Sequence, residues 1–295
     1  MRKRLAIYWH DLRQRGISYF VSSRLKKHSF TRRLYYLGRQ PVVRVRGKKL
    51  YVDIMDSVVS ERLLAEGVWE PYVTQVFEKY AGGKNLVLDI GAHIGYYSLV
   101  GSLKVGEGGR VIAFEPSEHN AGLLKKTLVE NGITNVMVEQ KAVGARTGEG
   151  KIYFDPENMG DNRTYDSGGE PRRVKRVQTV ALDNYFSRYK GVIDLMKIDI
   201  QGYELQALRG MMGLLSKKRI SVIISELWPE GLAMAGGDWR DYIRLLRKNG
   251  FKIWQIDEER GRLAPFSEKI IEQAYAEDKT FTTNILGKME SNSEE

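Results

Sequence analysis

Asp89, Gly91, Gly95 and Glu115 are the residues whose types and spacing first suggest chemistry. The glycines define a turn, D-x-G-x-x-x-G, where the backbone can pass close to a ligand because no Cβ intervenes. The helix expected to start at Tyr96 presents free N–H groups to an anionic group. Glu115 ends an apolar run about 20 residues past the turn, where a carboxylate can accept both hydroxyls of a ribose. Asp89, ahead of the turn, can receive a cationic amino group. A dinucleotide fingerprint fits poorly, because its three glycine positions fall on Gly91, His93 and Tyr96. A ligand with an amino-acid end and a ribose end suits Asp89 and Glu115 together, and S-adenosylmethionine is one. The alternative is an ordinary tight strand–helix turn with Glu115 solvated beyond a strand end.

A second constellation lies in the segment Asp194-Leu195-Met196-Lys197-Ile198-Asp199-Ile200-Gln201-Gly202. Lys197 and Asp199 sit two apart in an apolar strand, so they share one face. Buried charge is costly unless paired. The two therefore form either a structural ion pair or a couple facing substrate at the strand end. Glu226 ends another apolar run, Ile220 to Leu227, and is either part of the same pocket or simply exposed at its strand end.

The elements that position these residues follow from periodicity. Leu86-Val87-Leu88, Val111 to Phe114, Val136 to Val143, Val177 to Leu182, Ile193 to Ile200, Ile220 to Leu227, Phe251 to Ile256 and Thr280 to Gly287 read as strands. Helical patterns alternate with them: Ser57 to Glu66, Glu70 to Tyr80, a helix capped by Ser117, a short one from Asp183 to Tyr189, Gln201 to Leu215, and Trp239 to Lys248. This alternation predicts an α/β fold, a mostly parallel sheet of about seven core strands with helices on both faces and an antiparallel last strand. The polar, glycine-rich stretch Gly144 to Gln178 interrupts it. A loop that long within a compact domain is usually functional or disordered.

The chain has 295 residues and a net charge of +10, unevenly spread. Residues 1–50 hold 15 Lys/Arg against one acid, Asp11, a formal +14, which leaves −4 for the remainder. The expected organisation is a basic arm and β-hairpin over 1–55, a catalytic domain over 56–288 and a polar tail over 289–295. Residues 1–40 mix cations with Tyr8, Trp9, Tyr19, Phe20, Phe30, Tyr35 and Tyr36. Such an arm can lie on an anionic membrane surface, sit on a phosphate backbone, or pack on its own domain with its cations outward. Cysteine is absent, so neither a disulfide framework nor a thiolate metal site exists. The absence of a spanning run or signal-type h-region leads to an expected cytoplasmic location, peripheral to the membrane if the arm binds one.

Three strings taken together, VLDIGAHIGYYSL (Val87–Leu99), VIAFEPSEHNAGLLKKTLVENGITNV (Val111–Val136) and LMKIDIQGYELQALRG (Leu195–Gly210), resemble the FkbM family of S-adenosylmethionine-dependent methyltransferases. The closing FTTNILGK and the acidic–proline pair Glu70-Pro71 resemble it too. The resemblance implies a class I, Rossmann-like methyltransferase fold and methyl transfer, typically to oxygen. The acceptor is then a hydroxyl on a sugar, glycan, lipid-linked or polyketide-type molecule. RNA or another macromolecule held by the basic arm is the competing acceptor, and a non-catalytic scaffold is the competing class. The cofactor residues expected are Glu70, Asp89 and the turn Gly91, Ala92, His93 and Gly95 with Tyr96 and Tyr97. Glu115 and Pro116 follow for the ribose, and Lys141 and Ala142 border the adenine. Asp199 is expected to touch cofactor and to orient or deprotonate the acceptor, tuned by Lys197 and Glu226. Asp161, Asn162 and Arg163, with Glu226, are expected to shape the acceptor pocket. No metal site is expected. One residue departs from the family pattern, Gln201 standing where D-x-E-G usually has Glu.

Overall fold

The structure is a computed structural model and describes residues 41–290, except 55, 57, 155–162 and 166–172. The basic arm of residues 1–40 and the pair Asp161, Asn162 lie outside the described residues.

An antiparallel hairpin comes first, β1 (Val42–Val45) with β2 (Lys48–Tyr51). It is tied to the main domain by Lys49 N–H donating to Asn131 Oδ1 (2.9 Å) and Tyr51 N–H to Thr127 Oγ1 (3.1 Å). Helices α1 (Val59–Glu66) and α2 (Pro71–Ala81) follow. Proline suits the first turn of α2 because its missing N–H would have no partner there. The N–H groups of Tyr72 and Val73 donate to the Glu258 carboxylate, 3.0 and 2.9 Å, a cap from far along the chain.

The sheet then begins. β3 (Leu86–Ile90), α3 (Tyr96–Lys104), β4 (Arg110–Phe114), α4 (Glu118–Glu130) and β5 (Val136–Glu139) run in regular alternation. β3 is buried along its whole length, as expected of a strand covered on both faces. Leu86, Leu88 and Ile90 face one side and Val87 and Asp89 the other, so the carboxylate shares the face that packs α2 and α3.

Between β5 and the next core strand lies a second, three-stranded sheet of β6 (Ala142–Val143), β7 (Gly148–Phe154) and β8 (Arg173–Val180), in the order β6-β8-β7. Of the polar stretch Gly144 to Gln178, the described residues include an antiparallel pair of strands, β7 with β8, in this sheet. The expected single strand Val136 to Val143 is two, parted at Gln140-Lys141, where the chain leaves one sheet for the other.

The chain returns through α5 (Leu182–Tyr185) to β9 (Ile193–Ile198), α6 (Glu204–Arg209), α7 (Met212–Ser216) and β10 (Ile220–Leu227). The helix expected over Gln201 to Leu215 is thus split at Gly210-Met211. A Cβ on Gly210 would lie 2.0 Å from the Gly144 carbonyl, so this junction is a close backbone crossing. The Asp183 carboxylate caps α7 through the N–H groups of Gly213 and Leu214 (2.7 and 2.8 Å). Next come α8 (Pro229–Met234), α9 (Trp239–Lys248), β11 (Phe251–Asp257), β12 (Arg262–Pro265), α10 (Glu268–Glu277) and β13 (Thr283–Met289).

The main sheet has eight strands in the order β12-β11-β13-β10-β9-β3-β4-β5. β5, β4, β3, β9 and β10 are parallel, and β13 inserts antiparallel between β10 and β11. β12 is one strand more than the sequence suggests. Strand order reverses between β3 and β9, and at such a switch point the strand ends open a crevice. Among the described residues no helix is long and apolar enough to cross a membrane.

Two glycine substitutions test how tightly that edge is built. A Cβ on Gly91, at φ 80°, would lie 1.9 Å from the Asp199 carbonyl, whereas one on Gly122, in α4, would meet nothing within 4 Å. Urea unfolding of Gly91→Ala should show a loss of roughly 2–5 kcal/mol from strain plus overpacking. Gly122→Ala should gain about 0.5–1 kcal/mol.

Candidate active site

Asp89, one residue before the end of β3, lies beside Lys197 of β9, the two paired in register. Asp199 is tied to the same strand end by its N–H to the Ile90 carbonyl (2.9 Å). The alternation expected from sequence therefore brings Asp89, Lys197 and Asp199 to one face of adjacent strands. Lys197 is wholly buried; its Nζ donates to Asp199 Oδ2 (3.2 Å) and lies 5.2 Å from the Tyr97 ring centroid. Burial opposes its charge, but the attraction of Asp199, Glu70 and Glu226 prevails and raises its pKa.

Glu70 reaches this cluster from the start of α2. Its backbone is left-handed, φ 42°, and its carboxylate accepts from Tyr97 Oη (2.9 Å) and Asn284 Nδ2 (2.8 Å). Glu226, on β10, pairs in register with Asn284 of β13. Gln201 Nε2 donates to both Asp199 Oδ1 (2.8 Å) and Glu226 Oε2 (3.2 Å). Burial pushes Glu70 up and Glu226 well up from the ordinary carboxylate range, and nearby Asp199 adds to both. Asp89, buried and accepting from Ser98 Oγ (2.6 Å), is pushed up to about 6 by its desolvation.

The glycine turn is organised from the other side by Glu115. Its Oε2 accepts the His93 N–H (2.8 Å) and its Oε1 the Ser117 N–H (2.8 Å). Burial pushes this carboxyl up to about 7. Gly91 and Ala92 donate their N–H groups to the Phe114 carbonyl (2.9 and 3.0 Å), closing the turn onto β4. His93 stands at φ 51°, its ring half-buried and its Nε2 buried without a hydrogen bond. Burial lowers its pKa.

Two connected openings meet at Gly91, His93, Asp199 and Gln201. The narrower is bordered by Glu115, Pro116, Asn120, Lys141, Ala142 and Thr164. The broader, with a cavity volume of about 350 Å³, is bordered by Trp69, Glu70, Asp89, Tyr96, Tyr97, Lys197 and Glu226. The residues expected for the two ends of the ligand thus line two ends of one crevice, with Gly95 behind it starting α3 in a left-handed conformation. Lys141 is at the border, but its Nζ is held by Glu139 (2.6 Å). Arg163 lies over the Trp228 ring (4.8 Å), outside both openings' borders.

Several bordering groups escaped sequence reasoning. Asn120 is buried, and neither amide atom has a hydrogen-bond partner. Thr164 Oγ1 is likewise buried without a partner. Trp69 borders the broader opening, and Asn284 reaches it only through its hydrogen bond to Glu70. Only Asn120 carried a signal, lying in the first turn of the helix after Glu115. Among the described residues no group of three or more His, Asp or Glu is arranged to hold a metal ion.

The eight-stranded sheet with its inserted antiparallel strand, and the crevice at its switch point, have the topology of the class I methyltransferase fold. Residues 89–253 match the methyltransferase FkbM domain, more than half of the chain, and the protein belongs to this family. No curated protein matches. Similar solved structures include an rRNA methylase from Streptococcus thermophilus, with 12% identity, 74% of this chain and 95% of that one covered, and a TM-score of 0.42. Another is an O-methyltransferase from Bacillus cereus in complex with SAH, with 15% identity, coverage of 75% and 80%, and a TM-score of 0.41.

The raised carboxyls make stability depend on pH in a definite direction. In the unfolded chain Glu115 loses its proton near its ordinary value of 4.5, and in the native protein at about 7. Between these values the native state holds a proton that the unfolded state has released, so stability falls as pH rises. Asp89 and Glu204 act in the same direction, and the buried neutral His93 opposes them. The unfolding free energy of Glu115→Gln relative to the parent should therefore grow from pH 5 to pH 8, by up to roughly 3 kcal/mol. Denaturant titrations of the ligand-free proteins across that range measure it.

Proposed function

We propose that the protein transfers a methyl group from S-adenosylmethionine to a hydroxyl of a sugar, glycan, lipid-linked or polyketide-type acceptor. The observation that carries this reading is the Lys197–Asp199 pair, brought to the broad end of the crevice with Glu226 and Gln201 around it.

The side chains present fit the cofactor. Glu70, Asp89, Asp199 and Glu226 surround the broad opening, with Lys197 the buried cation among them, so a ligand carrying ammonium and sulfonium charge is matched. At the narrow end Glu115 and the unpartnered amide of Asn120 supply acceptors and donors for an adenosine. When bound, S-adenosylmethionine supplies a methyl group already activated by the sulfonium charge, so the protein's task is positioning and proton transfer. Asp89 and the turn from Gly91 to Gly95, including Ala92 and His93, would hold the amino-acid end, backed by Glu70, Tyr96 and Tyr97. Glu115 and Pro116 would take the ribose, and Lys141 and Ala142 would border the base. Asp199 would accept the proton of the acceptor hydroxyl at Oδ1 or Oδ2. Lys197 anchors that carboxylate through its ammonium, and Glu226 shapes the acceptor side.

Calorimetry and turnover separate these roles. Glu115→Ala should weaken S-adenosylmethionine binding by roughly 1.5–3 kcal/mol, the range for hydrogen bonds to a charged group. Asp199→Asn should bind nearly as the parent does and turn over far more slowly; collapse of binding with intact turnover would exchange the two assignments. Mass spectrometry of metabolites and glycans from cells with and without the active enzyme should show a methyl increment on a hydroxyl compound. Methylated nucleosides in its place would move the acceptor to RNA.

The basic arm supports a peripheral site of action, on the sequence alone. Near an anionic leaflet each cation contributes about 1 kcal/mol, so five or six engaged cations would hold the enzyme there. Deleting residues 1–40 should preserve cofactor binding and abolish sedimentation with anionic liposomes. Full-length protein that ignores such liposomes at physiological salt rules this out.

A further inference from the structure

Gln201 stands three residues past the end of β9 in a left-handed conformation, φ 55°, which non-glycine residues seldom adopt. The turn is pinned on both sides. Tyr165 Oη donates to the Gln201 carbonyl (2.7 Å). Glu204 Oε1 accepts the N–H groups of Ile200 (3.0 Å) and Gly202 (3.2 Å). Tyr165 in turn stacks on Tyr203, with ring centroids 6.4 Å apart and planes at 15°. These contacts aim the side chain, and its amide nitrogen ends 2.8 Å from Asp199 Oδ1 and 3.2 Å from Glu226 Oε2.

Two carboxyls that converge on one point cannot both ionise freely, which is why burial and nearby Asp199 push Glu226 well up, and a proton or a cation between them is the usual remedy. Lys197 does not fill that place, because its Nζ donates to Oδ2, the other oxygen of Asp199. Oxygen pairs of this kind also suit a divalent cation. A primary amide offers a third remedy. It has two N–H donors, one for each carboxylate, and carries no charge.

We propose that Gln201 is a positioning residue whose side-chain amide takes the place of a bridging cation between Asp199 and Glu226, so that Asp199 is oriented as proton acceptor without a divalent metal. Its catalytic consequence rests on the methyltransferase reading, while the bridging itself does not. A carboxylate at position 201 would remove both donors and add a third set of oxygens at the same point. The substitution should therefore convert the turn into a divalent-cation site.

Full-length protein is titrated with Mn²⁺ by calorimetry at neutral pH, in parent, Gln201→Glu and Gln201→Ala forms. The expected result is saturable binding by Gln201→Glu alone, lost again when Glu226→Gln is added. In parallel, carboxyl-carbon NMR follows the Glu226 titration. Gln201→Ala should raise its midpoint by about one further pH unit, since a donor to the charged form is gone. Tyr165→Phe, which keeps the amide but releases its anchor, should move the midpoint the same way by less. Saturable Mn²⁺ binding by the parent that Glu226→Gln abolishes would overturn the proposal. So would an unmoved Glu226 midpoint in Gln201→Ala, or in Tyr165→Phe should the alanine variant not fold. Failure of the parent to bind S-adenosylmethionine would instead count against the methyltransferase reading and leave the amide's role decided by these two measurements.

Discussion

A lysine ammonium with no exposure to water is the constraint around which this site is built. Burying Lys197 alone would be prohibitive, and it is tolerable only because carboxylates converge on it. Asp199 lies just past the end of the same strand, Glu70 comes from the start of α2, and Glu226 from β10. Tyr97 of α3 covers it with a ring face, the geometry that favours a cation. Each contributor must be delivered by its own strand end or helix terminus, so the arrangement of the sheet edge and the charge state of the pocket are one problem. Asp199, Glu70 and Glu226 act on that lysine, and with Asp89 beside them the pocket is lined by carboxyl oxygens, which suit a cationic cofactor better than an anionic one.

Glu115 has a larger part than its place in the sequence suggests. Read from spacing, it is a free carboxylate waiting for hydroxyls. In the structure its two oxygens already hold the N–H groups of His93 and Ser117. It therefore joins the glycine turn to the start of α4 while still bordering the narrow opening. Its burial makes ionisation costly, and a ligand offering further donors would offset that cost. Organisation of the turn and recognition of the ligand are coupled through one carboxyl group.

The parts of the fold that sequence revealed are those whose burial is uniform. Leu86 to Ile90, Val111 to Phe114 and Leu195 to Ile198 are buried throughout and read as largely apolar runs. By contrast β12 has no fully buried residue and α10 buries only Ile271, so neither leaves a clear period. The break at Gln140-Lys141 falls within the polar run Glu139-Gln140-Lys141, with apolar residues resuming at once on its far side. The break near Gly210 depends on a backbone 66 positions earlier in the chain, at Gly144, which no local pattern records. The same division holds in the crevice. Lys197 and Asp199 stand out as charges within an apolar strand, and Asp89 as an acid before a glycine turn. Asn284, Asn120 and Thr164 carry no such contrast, because packing alone directs them inward.

The late strand β13 has a temporal consequence. It supplies Asn284 to the Glu70 carboxylate and pairs β10 along the stretch that holds Glu226, although these partners lie far apart in the chain. A nascent polypeptide still tethered to the ribosome with this strand inside the exit tunnel would have β3, β9 and β10 available but an open edge beside β10. Contacts of such sequence separation form slowly, and an unpaired central edge invites other strands. Closure of the pocket therefore waits for β13, and the crevice matures only as the sheet is sealed.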